Sequence, residues 1–181
     1  MLHITVPETE LFAEETNRFY PIKETSLTLE HSLISLSKWE SKWKKPFLSR
    51  RSLITEEERL DYIRCMTIEK NVVPLTYKAL TKENIDAIDK YIDDSHTATT
   101  FPKGKTGGSS RVVTSELIYY WMFSLGIPLE LERWHLNRLL TLIQVFQAEN
   151  QPKKKRKMTR DDLAQRNALN EKRKAMYHTK G

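Results

Sequence analysis

Between Thr114 and Phe146 apolar side chains return at intervals of three and four, in two stretches separated by Gly126, Ile127 and Pro128. No other pattern constrains the fold as much, because a stripe of that period can be buried on one side only if the backbone is helical. In TSELIYYWMFSLG the face is Leu117, Ile118, Trp121, Met122 and Leu125. Thr114 or Ser115 can cap it, and Gly126 stands where helices commonly end. In RWHLNRLLTLIQVFQAEN the face is Leu136, Leu139, Leu140, Ile143 and Phe146. These two helices are expected at the centre of the core.

The same reasoning extends along the chain. Leu29, Leu33, Leu36, Trp39 and Trp43 predict a first helix that starts near Leu29 and stops near Pro46. TEEERLDYIRCM, Thr55 to Met66, opens with a T-x-x-E capping box that predicts a second. Ile85, Ile88 and Ile92 predict a third over Lys82–Asp93. Residues 1–28 mix β-branched and polar residues around Pro7 and Pro21 and allow one short strand or hairpin. HTATTFPKGKTGGSSR has the composition of a loop. The expected fold is mainly α: a single helical body over 29–149, an extended segment or hairpin over 1–28, and a basic tail over 150–181. That tail is flexible or conditionally helical, because Leu169 and Met176 make too thin a stripe to hold a helix by burial.

Charge divides the chain at the same place. The 181 residues carry 30 Lys and Arg against 24 Asp and Glu, yet eleven of the former and only three of the latter lie from Asn150 onward. The body is near neutral, and the basic character belongs to the tail, above all to Lys153, Lys154, Lys155, Arg156 and Lys157. One cysteine, Cys65, excludes an intrachain disulfide and points to a reducing compartment. Neither a secretory leader nor an apolar run of membrane-spanning length is visible.

Chemistry-bearing motifs are absent. GKT at Gly104–Thr106 lacks the earlier glycine of a phosphate-binding loop. His3, His31, His96, His135 and His178 show no metal-ligand spacing, and Cys65 lies on an apolar helix face as a small core residue would. His135 reads as a polar contact at a helix start, and Glu57, Glu58 and Asp61 as a solvated first turn. Neither a catalytic residue nor a cofactor or metal site is indicated, and nothing argues for an enzyme. Trp39, Trp43, Trp121 and Trp134 have helical spacing and are expected in the core first, although Trp39 and Trp43 lie among Lys38, Lys42, Lys44 and Lys45, which suits a nucleic-acid surface too.

TSELIYYWMFSLGIPLELERWHLNRLLTLIQVF, followed by a Pro-Lys break and QRNALNEKRKAMYHTKG, resembles the tail assembly chaperones of long-tailed, siphovirus-like bacteriophages. SLTLEHSLISLSKWESKWKKPFL, DYIRCMTIEKNVVP and TATTF are similar to the amino-terminal half of the same family, so the likeness spans most of the chain. It implies a non-enzymatic factor of the host bacterial cytoplasm that binds the tape-measure protein and helps tail-tube subunits assemble around it. A homo-oligomer is compatible with that role. The aromatic-rich helix pair is the expected groove, with Tyr120, Trp121, Trp134, Leu136 and Leu140 as candidate contacts. QPKKKRKM then reads as a charged hinge, since a bacterial-virus protein has no nucleus for its nuclear-import-like run to address. The alternatives are a structural tail or baseplate component, and a small nucleic-acid-binding protein acting through the basic tail.

Overall fold

A computed structural model of the chain describes residues 1–13, 17–101, 112–150 and 160–178. The GKT motif and the five basic residues 153–157 lie outside the described residues. The fold is mainly α, and among the described residues the β-strands lie at the amino terminus. Two compact units are present, Met1–Glu149 and Asn150–Gly181. The amino-terminal segment therefore belongs to the helical body.

Where one hairpin was expected there are two antiparallel pairs. β1 (Leu2–Val6) pairs with β4 (Thr25–Leu29), and β2 (Thr9–Ala13) pairs with β3 (Arg18–Ile22). Continuing the register of Leu2↔Leu29 inward leads to Thr9↔Ile22, so the two pairs are halves of one long ribbon. The ribbon is interrupted at Pro7-Glu8 and Lys23-Glu24, where the inward face changes parity. Ile4, Val6, Leu27 and Leu29 point inward from the first half, whereas Ile22 and the partly covered Leu11 do so from the second. Had the alternation of β1 continued, Phe12 would face the core; instead Phe12 and Phe19 face out.

Leu29, expected as the first residue of a helical stripe, is the last residue of β4. It is fully buried and bridged to Thr67, and Glu30 N–H donates to the Met66 carbonyl at 2.9 Å. Helix α1 (Leu33–Trp43) begins only after Ser32, which exchanges capping bonds with Ser35. It ends at Lys44 in the left-handed conformation, φ 55°, with Pro46 just beyond. A short helix α2 (Phe47–Arg50) and a 3₁₀ turn (Arg51–Leu53) follow, both too short to register as periodicity.

Helix α3 (Glu56–Met66) has the expected capping box: Glu58 N–H donates to Thr55 Oγ1 at 3.2 Å, and Thr55 N–H to Glu58 Oε2 at 2.9 Å. Glu58 is nevertheless buried rather than solvated, and its other oxygen is paired with Lys45. Helix α4 (Pro74–Lys78) uses Pro74 as its first residue, and α5 (Lys82–Asp93) spans its expected range after a Thr81 cap. Around α1 the core packs Trp39 against Phe47 and Tyr62, whose rings stack at 3.7 Å. Trp39 Nε1 donates to the Glu58 carbonyl at 2.7 Å. Helix α6 (Ser115–Ser124), a 3₁₀ turn (Leu129–Arg133) and α7 (Leu136–Asn150) complete the first unit. The second contains α8 (Arg160–Tyr177), in which no residue is buried.

Candidate partner-binding surface

Helix α6 is held by two devices. At its start the Thr114 side chain makes no cap bond, contrary to expectation. The acceptor comes from α1 instead: buried Glu40 receives the Ser115 N–H on Oε2 at 2.7 Å and the Phe47 N–H on Oε1 at 3.0 Å. One carboxylate thus caps α2 and α6 together, where the positive ends of both helices favour an anion. At its end Gly126, φ +67°, lets Ile127 N–H reach the Met122 carbonyl at 2.8 Å and Gly126 N–H the Phe123 carbonyl at 3.3 Å. That pair of bonds is a Schellman motif, and it turns the chain sharply into Ile127, which is buried.

So fixed, α6 buries Ser115, Ile118 and Met122 and exposes two aromatic side chains beside Glu116 and Ser124. Tyr120 is 62% exposed and Phe123 68%, three residues apart and therefore neighbours on one face. Leu129, in the following 3₁₀ turn, is also exposed, as is Val112 before the helix. Exposed aromatic rings grouped on one helix face leave an apolar patch in water, here rimmed by Glu116.

The candidate residues separate by exposure. Tyr120 is open to a partner. Trp121 and Leu140 are half-covered and packed against the core. Trp134 is half-buried beneath Arg138, whose guanidinium lies 4.0 Å from the ring centroid. Leu136 is fully buried and its N–H donates to the His31 carbonyl at 2.7 Å, so it fastens α7 to the body. Phe123 was absent from the candidates; its position three residues after Tyr120 in the sequence was the available signal.

Two of the four lysines of the basic-aromatic cluster, Lys42 and Lys45, are paired with carboxylates. Trp39 is fully buried, Trp43 Nε1 donates to Asp61 Oδ2 at 2.8 Å, Lys42 pairs with Asp61 at 2.5 Å, and Lys45 pairs with Glu58. The hydrogen bond from Lys45 and then that from Thr55 hold the Glu58 carboxyl below its usual range. Cys65 is half-buried, and burial, followed by the charge of Asp61, pushes its thiol up to about 11. That shift favours the protonated thiol at neutral pH.

Three histidines distant in sequence meet behind α7. His31 and His135 have ring centroids 5.2 Å apart, and His135 and His96 4.1 Å. His31 Nδ1 bonds Tyr62 Oη at 2.6 Å, and His135 Nε2 donates to the Tyr91 carbonyl at 3.1 Å. Among the described residues no group of three or more His, Cys, Asp or Glu has the geometry to hold a metal ion. Compared with family models, curated proteins and solved structures, the chain has no match.

Proposed function

We propose that this protein is a non-enzymatic tail assembly chaperone of the kind its sequence resembles, and that it holds an apolar helical segment of a phage tape-measure protein against the outer face of α6. The observation carrying this reading is the exposure of Tyr120 and Phe123 on a helix whose opposite side is locked into the core. A tape measure exposes apolar helical surface before its tube exists, and an aromatic helix face complements such a segment at helical spacing. Trp121, Trp134 and Leu140 are the further candidate contacts, and the tail-tube protein is a second partner in the same process. The role belongs to the host bacterial cytoplasm. Among the described residues no helix is long and apolar enough to cross a membrane.

Co-expression tests the reading. The wild-type chain is expected to keep the tape-measure protein in the soluble fraction and to be recovered with it. The double variant Tyr120→Ser/Phe123→Ser is expected to fold with a stability change within about 1 kcal/mol, because both side chains are exposed, and to lose most of that recovery. Full recovery with the folded double variant would overturn the assignment of this face.

A further inference from the structure

The edges of the amino-terminal ribbon are treated differently in its two halves. In the first half both are occupied. Ile68 N–H donates to the Thr28 carbonyl at 3.0 Å, Glu69 accepts the Thr28 N–H at 2.9 Å, and Asn84 Nδ2 donates to the Thr5 carbonyl at 3.2 Å. Among the described residues the second half is a two-stranded sheet in which β3 is the one strand paired with β2. Its outer face carries Glu10, Phe12, Phe19 and Pro21, all exposed, with the Phe12 and Phe19 ring centroids 5.0 Å apart. A two-stranded pair is marginally stable in water, and a third strand is the usual remedy.

Pro21 makes the edges of this half unequal. Pro21 is paired with Glu10 and has no N–H to donate across the ladder, which fits a non-hydrogen-bonded pair. By alternation, the N–H and C=O groups of Glu10 and Phe12 then turn away from β3 and form the outer edge of β2. The outer edge of β3 lacks the donor at Pro21, a blunted edge of the sort that stops further strand addition.

We propose that β2 pairs antiparallel with β2 of a second copy of this chain, about a two-fold axis at Leu11, to give a four-stranded sheet ordered β3–β2–β2–β3. The edge is self-complementary in this register. Glu10 lies opposite Phe12 of the partner subunit, and the two exchange their outward backbone groups. Thr9 lies opposite Ala13 of the partner subunit, so all five residues of β2 are used. Phe12 comes within diagonal reach of the partner's Phe12, adding aromatic contact to the Phe12–Phe19 pair. Because Pro21 blunts the remaining edge, association closes at two copies instead of continuing as an open sheet.

Light scattering on the full-length chain after size exclusion is the test. The wild type is expected at twice 21.4 kDa. Glu10→Pro removes one outward N–H from β2, as Pro21 does on β3, and is expected at the monomer mass with an unchanged helical circular-dichroism spectrum. As a check that does not depend on that variant folding, Leu11→Cys in a Cys65→Ser background is expected to form a disulfide-linked dimer on oxidation, whereas Phe19→Cys in the same background is not. A wild type at 21.4 kDa at every concentration, a folded Glu10→Pro variant that stays dimeric, or no cross-link through position 11 would each overturn the proposal.

Discussion

Glu40 carries more of the architecture than its polar character suggests. It sits near the end of α1, buried, with each carboxylate oxygen engaged by the first N–H of a different helix. Removing it leaves two buried backbone donors without acceptors, and each such loss costs about 1–3 kcal/mol. Glu40→Ala is therefore expected to destabilise the protein by roughly 2–6 kcal/mol in urea denaturation, far above the effect of an exposed glutamate. His31 makes a different contribution. Burial first, and the neighbouring His135 next, hold its imidazole down to about 3. Below the unfolded value near 6.5 the unfolded chain takes up a proton that the folded chain refuses, so this stability is complete above that pH and is lost as pH falls. The loss from His31 alone is about 1.4 kcal/mol per pH unit. Burial also lowers the His135 pKa, which acts in the same direction. Urea midpoints are expected to fall between pH 6.5 and 5; a flat profile would contradict the burial of His31 and His135 as neutral rings.

Elements held by local chemistry were legible in the sequence, and those held by distant partners were not. The Thr55–Glu58 box and the isoleucine stripe of Lys82–Asp93 are complete within a few residues, so α3 and α5 could be read directly. The cap of α6 comes from Glu40, seventy-five residues upstream, and no local pattern announces it. The histidine row likewise joins three separate segments. The ribbon was underestimated because its alternation slips by one at Pro7-Glu8, leaving two short runs that do not read as a single periodic strand pair. Of the candidate surface, Tyr120 was legible, but spacing alone could not say which of the apolar residues of α6 the body would cover. The C-terminal turn of α6 gives an element-scale test. A Cβ at Gly126 would meet nothing within 4 Å, so Gly126→Ala costs only the left-handed backbone, φ +67°. An expected loss of about 1–2 kcal/mol in thermal or urea melts follows, with no cavity or clash to enlarge it.

At the scale of the molecule, the near-neutral unit Met1–Glu149 contains the buried core and the aromatic face, while the unit Asn150–Gly181 contributes a helix with no buried residue and all of the excess positive charge. That division separates the proposed partner-binding face from a charged appendage. It suits a protein that must hold an apolar partner and stay soluble while doing so. The face of α6 is the central claim, and site-specific photo-cross-linking tests it most directly. A benzophenone amino acid would replace Phe123, and in a control would replace Leu53, which is 78% exposed on a different element. With the tape-measure protein co-expressed, the account predicts a strong cross-linked product from position 123 and little from position 53. Equal yields from the two positions, or a product from Leu53 alone, would contradict it.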